Sequence, residues 1–149
     1  MLLKNHKQRQ PLFFVGLLVI LLSIGLFYLV SMLDPGIRNS PFIKAATSLP
    51  ERLILGGILI PMACVLIFQK YFLEAAVTLT GKPLLAVFLI ALLSGLLQFR
   101  SLSAASLLFL LNVVFSLFYL LAQERKINAY WPVAIAAVIS STTIILCWG

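Results

Sequence analysis

The sequence predicts an all-α protein, a polytopic membrane helical bundle of about five transmembrane helices with its N-terminus inside. Three observations carry that expectation. Of the 149 residues, 62% are hydrophobic and only 10% are charged, whereas about a quarter of a soluble domain's residues are charged. The mean hydropathy is +1.13. Long apolar stretches also recur along most of the chain rather than clustering in one core. A water-soluble monomer of this size would have no means of hiding that much apolar surface, and inside a bilayer helices satisfy their own peptide groups.

The chain opens on a basic tail, MLLKNHKQRQ. The apolar run from Leu12 to Leu33 follows, 22 residues in all, enough at about 1.5 Å per residue to cross a hydrocarbon core of about 30 Å. It is longer than a signal-peptide core, and no A-x-A-like cleavage site follows, so it reads as an uncleaved signal anchor. Asp34-Pro35-Gly36 is a turn that stops this helix. Ser40 and Pro41 open a candidate short interfacial helix carrying Phe42, Ile43 and Ala46. Ser48 and Glu51 have capping-box spacing with Pro50 in the first turn, which marks the start of the second span.

That second span is expected over 53–72, kinked at Pro61, which lacks a backbone donor. Thr80-Gly81-Lys82-Pro83 is a break. The third span is expected over 84–102, its last residues borrowed from a tight connection, Arg100-Ser101-Leu102-Ser103, that makes it a hairpin with the fourth. The fourth covers 104–122 and is closed by Gln123-Glu124-Arg125-Lys126. The fifth covers 130–147. All of this forms one membrane domain over 1–149. Leu26-Phe27-Tyr28-Leu29 recurs as Leu117-Phe118-Tyr119-Leu120, which biased composition explains without a repeat.

Basic residues set the orientation. Lys4, Lys7, Arg9, Lys70, Lys82, Arg125 and Lys126 fall on one side, and Arg38, Lys44, Arg52 and Arg100 on the other, which is seven against four of the 11. The side with more of them is cytoplasmic. Tyr28, Tyr71, Tyr130, Trp131 and Trp148 fall near span ends, where amphipathic rings anchor at the interface. The net charge of +7 is scattered through short loops without a basic stripe, so no nucleic-acid partner is expected. The expected partners are the lipid bilayer and a membrane-protein partner or a second copy of the chain. Short loops, the basic tail and the lack of a glycosylation sequon suit a bacterial inner membrane.

The candidate chemistry is sparse. The only acids, Asp34, Glu51, Glu74 and Glu124, fall at or beyond the predicted span ends. No ionisable group is then expected in a bilayer centre, which argues against proton-coupled pumping. His6, the only histidine, is a solvated tail residue. Asp34 and Glu51 are the sole candidate carboxylate pair, and nearby Arg38 and Arg52 make ordinary ion pairing the better reading. No nucleophile elbow, phosphate loop or metal-ligand cluster occurs, so neither an enzyme nor a cofactor is expected. Cys64 falls deep in span two and Cys147 near the far end of span five, too far apart for a disulfide.

Intramembrane polar residues remain. Ala91, Ser94, Gly95 and Gln98 share one face of span three. Asn112, Ser116 and Tyr119 share one face of span four, Gly57, Pro61 and Cys64 one face of span two, and Ala137 and Ser141 one face of span five. Such faces either pack helices closely or line a path. Asn112 is the sharpest, because an amide alone in hydrocarbon costs several kcal/mol; it is expected to meet Gln98 or a backbone carbonyl of a neighbouring helix. Two functional expectations follow. One is a non-catalytic accessory, assembly or interaction subunit working through helix contacts. The alternative is a small oligomeric transporter, channel or holin-like pore for an uncharged solute.

Overall fold

The computed structural model describes residues 2–39, 48–98, 101–125 and 128–148, and no strand occurs among them. Five helices follow one another: α1 (Leu2–Leu33), α2 (Leu49–Thr80), α3 (Pro83–Leu96), α4 (Leu102–Glu124) and α5 (Tyr130–Trp148). Four stretches are long and apolar enough to cross a membrane: Leu12–Leu33, Leu49–Thr80, Leu102–Glu124 and Tyr130–Cys147. The all-α bundle expected from the sequence is therefore present.

Several boundaries follow the local chemistry foreseen for them. At the end of α1 the Asp34 amide donates to the Val30 carbonyl, and Gly36 N donates to Asp34 Oδ1 at 3.0 Å. A short 3-10 turn, Pro35–Asn39, comes next. The interfacial helix expected from Ser40 onward lies outside the described residues. Ser48 starts α2 as a complete capping box. Its Oγ accepts from Glu51 N, and its own N–H donates to the Glu51 carboxylate. Gly81 ends α2 at φ +64°, a left-handed conformation that a side chain would strain. Pro83 then occupies the first turn of α3, where its missing donor costs nothing.

Two boundaries differ from expectation. The helix that contains the expected second span, 53–72, is longer than that span, running over 32 residues, well beyond the ~20 needed to cross. The third span does not reach Leu102. It ends at Leu96 after 14 residues, because Ser101 sits in extended backbone and caps α4, its Oγ accepting from Ala104 N at 3.3 Å. That cap makes Leu102 the first residue of α4 and turns the chain through Leu97 and Gln98, where Gln98 N donates to Gly95 O.

The winding of α2 is also unlike the sequence reading. Leu53–Leu59 and Val65–Leu73 are π-helical, with an α-helical stretch, Ile60–Cys64, between them. Its buried residues are Gly57, Pro61, Val65, Gln69 and Leu73, each four after the last. In an α-helix such a series drifts by about 40° per step. A π turn takes in more residues, which keeps the series on one line facing the bundle. Cys64, expected to share the face of Gly57 and Pro61, is consequently exposed. Pro61 supplies no N–H to the Gly57 carbonyl four residues back, and Thr142 of α5 donates its hydroxyl to that carbonyl at 3.4 Å. Neighbouring hydroxyls are the usual remedy for a proline inside a membrane helix.

The packing is uneven. α3 lies along α4 and along the second half of α2, whereas the first half of α2 packs against α5; α1 lies across α4 and α5. At the α3–α4 contact a Cβ on Gly95 would stand 3.2 Å from the Ala105 carbonyl oxygen. The main core gathers Val65 and Leu73, Ala86 and Val87, Phe118 and Ala122, and Val133 and Ala137. A smaller cluster, Phe27, Ile37 and Leu107, closes the end where α4 begins. Large apolar side chains such as Leu33, Leu79 and Leu102 stand outside the bundle, as suits a surface bathed in hydrocarbon rather than water.

Candidate functional site

The short α3 leaves a gap. Beyond Leu96 no helical turn of α3 remains to fill the space beside the first half of α2, and a cleft of about 280 Å³ opens there among α2, α4 and α5. Its polar lining is Gln69 from α2, Ser94 and Gln98 from α3 and the turn after it, Asn112 from α4 and Ser141 from α5. A second cavity of about 180 Å³ shares Gly56, Gln98, Leu108, Leu111 and Ser141 with it and extends to Ile37 and Ala104. Four of the five polar residues singled out from the sequence, Ser94, Gln98, Asn112 and Ser141, thus border one space. The fifth, Ser116, does not line it. That hydroxyl is fully buried in α4 and has no hydrogen-bond partner among the described residues.

The partner of Asn112 differs from expectation. It is Gln69, not Gln98: Gln69 Nε2 donates to Asn112 Oδ1 at 2.9 Å. The carbonyl that Asn112 Nδ2 reaches is Leu108 O at 3.2 Å, in its own helix rather than a neighbour's. Gln69 is 3% exposed. The signal for it was in the sequence as the fourth member of the series Gly57, Pro61, Val65, Gln69, visible only with a four-residue period. Ser94 also contributes less than expected to helix contacts, since its hydroxyl turns back to Ala91 O at 2.8 Å. The side chains of Gln98 and Ser141, by contrast, make no hydrogen bond with a described residue. They present an amide and a hydroxyl to the cleft.

Among the described residues no charged side chain lines either cavity. The charges of α2 sit at its start, in Glu51 and Arg52, and further along, in Lys70 and Glu74. Glu74, expected at or beyond the end of the second span, is inside α2 and docked on α4: its Oε1 accepts from Tyr119 Oη at 2.5 Å and from Gln123 Nε2 at 3.2 Å. One turn earlier, Lys70 Nζ lies 5.9 Å from the centre of the Tyr130 ring, a cation–π distance. Tyr130 also donates its hydroxyl to Met62 O. The candidate carboxylate pair is otherwise engaged, with Asp34 capping Gly36 and Glu51 capping Ser48. Cys64 and Cys147 are both free thiols. The Arg100 position and the side chain of His6 lie outside the described residues.

The cleft can hold a molecule by shape and by neutral hydrogen bonds. It offers apolar walls, two carboxamides joined to one another, a third carboxamide and a hydroxyl. Ligand sites commonly combine largely apolar linings with a few placed polar groups. No family model matches the chain, and neither a curated protein nor a solved structure is significantly similar to it.

Proposed function

We propose that this is a small, non-catalytic, multi-spanning membrane protein that binds an uncharged molecule in the cleft among α2, α4 and α5. It then serves as one subunit of a small transporter or as a membrane receptor for that molecule. The observation that carries this reading is convergence. Gln69, Gln98, Asn112 and Ser141 come from three helices and a turn, yet border one space. Residues serving only to hold helices together would lose that space to side-chain packing. The described lining carries no charge, which favours a neutral ligand, because burying an unpaired ion costs far more than burying a dipole. The same neutrality speaks for binding rather than catalysis, since acid–base chemistry needs a titratable group within reach. The membrane proposed is a bacterial inner membrane, with the N-terminus on the cytoplasmic side.

The test is native mass spectrometry of the full chain purified in mild detergent, beside the double variant Gln98→Leu, Ser141→Leu. The expected result is an uncharged adduct that the wild type holds and the variant loses. An adduct of equal occupancy on both, or none on the wild type in several lipid extracts, would remove the cleft from the account.

A second reading has its own observation. Between α1 and α5 runs an apolar groove of about 710 Å³, bordered by Leu12, Gly16, Ile20, Trp131, Ile135 and Ile139. It would receive a transmembrane helix of a partner protein, as an accessory or assembly subunit requires. Crosslinking of Gly16→Cys to a co-purified chain supports this reading; crosslinking only to lipid opposes it.

A further inference from the structure

We infer that the occupant of the cleft is a neutral lipid with one small oxygen-bearing head, a hydroxyl or a carbonyl, and that it enters sideways from the bilayer past Cys64. This rests on the reading of the cleft as a binding site and adds the class of ligand and its route.

The route follows from what closes each side. Toward the start of α4 the cavities end on Phe27, Ile37 and Leu107, each 6% exposed and packed together. A polar solute arriving from water would have to pass that apolar plug. On the flank, Cys64 and Leu97 both line the cleft and are both exposed on the outside of the bundle. They lie where α3 has ended and, among the described residues, leaves that side of the first half of α2 without a helix against it. The open side therefore belongs to a helix stretch apolar enough to lie in a membrane, and what reaches it must be dissolved in hydrocarbon.

The head follows from the donors left over. Each carboxamide carries two N–H bonds. Gln69 gives one to Asn112, and Asn112 gives one to Leu108 O, so each keeps one donor uncommitted by those bonds. The pair sits at mid-length of α4, ten residues after Leu102 and twelve before Glu124. At that depth a charged or zwitterionic headgroup is costly, whereas a single hydroxyl or carbonyl travels with its chain at small cost. One such oxygen accepts from the spare donors, and the tail leaves between Phe68 and Cys64 into the surrounding chains.

The experiment uses the full chain in liposomes and a long-chain alcohol carrying a photoreactive diazirine, with unlabelled hexadecanol as competitor. A short-chain diazirine alcohol serves as the water-borne control. The expected result is competable labelling of cleft residues by the long-chain probe. It should fall about three- to tenfold in Gln69→Leu and in Asn112→Leu, the loss of one or two neutral hydrogen bonds. Labelling should fall as far in Cys64→Trp, which plugs the mouth, and should be unchanged in Cys147→Trp, an exposed position that lines neither cavity. Helical circular dichroism and the unfolding midpoint are read on every variant, so that a collapsed bundle is not counted. Competable labelling by the short-chain probe alone overturns the sideways route and leaves the binding reading standing. Long-chain labelling that ignores both Cys64→Trp and hexadecanol overturns the inference as mere contact with lipid. No competable labelling by either probe in folded protein overturns the inference and the binding reading together.

Discussion

The two ends of this bundle are built differently. Around the end of α2 and the start of α3, Leu73, Ala86, Ala122 and Val133 are completely buried, and a carboxylate, a phenol and an amide tie α2 to α4 through Glu74, Tyr119 and Gln123. Around the start of α4, Gly95 and Ala105 bring α3 and α4 close, but the space beside the first half of α2 holds two adjoining cavities with unengaged polar groups. The difference traces to one length. α3 covers α4 and the second half of α2 and then stops. One end of the bundle is thereby fixed by packing while the other is left able to take something in.

The largest expected effect tests the packed end. Leu73→Ala removes a side chain with no exposure and should cost about 2–5 kcal/mol, read as a lowered unfolding midpoint in detergent. A loss below about 1 kcal/mol would mean that this end is not the rigid one. Next comes Glu74→Leu, which strips the acceptor from Tyr119 and Gln123 and leaves a buried phenol unanswered. The expected loss is about 1–3 kcal/mol, with Glu74→Gln retaining most of the stability because its carbonyl still accepts.

At the helix crossing beside the cleft, Gly57→Ala places a Cβ 2.9 Å from Thr142 Oγ1. The bundle should lose about 1–3 kcal/mol through overpacking, and Thr142→Ser should relieve little of it, since the hydroxyl remains. Asn112→Leu comes fourth. Hydrogen bonds between membrane helices average about 0.6 kcal/mol, so a small but measurable drop is expected; an unchanged midpoint would show that the pair with Gln69 is not a structural tie. Smallest is Ser141→Ala, whose hydroxyl has no partner among the described residues. Its stability should stay within about 0.5 kcal/mol of wild type, and any effect should appear only in occupancy of the cleft.

How far the sequence foretold this is itself uneven. Hydropathy sufficed for α1, α4 and α5, whose membrane segments fall within two residues of expectation. Local chemistry sufficed for the Ser48–Glu51 box and the Gly81 stop, because each is decided by residues a few positions apart. Composition could not show where α3 ends, since Leu96 and Leu102 are equally apolar and the boundary is set by the Ser101 hydroxyl. Helical periodicity failed on α2 for a different reason. A 3.6-residue count groups Gly57, Pro61 and Cys64, whereas the π turns bring Val65 and Gln69 inward. Gln69 was thereby missed, and with it the partner of Asn112. That pairing joins residues 43 apart in the chain, a separation at which no local signal operates.

Thr142 reaching the Gly57 carbonyl has a consequence for biogenesis. The ribosome delivers α2 long before α5, so the bond from the Thr142 hydroxyl to Gly57 forms only once the last helix arrives. The final segment to be made therefore completes the polar contacts of the second.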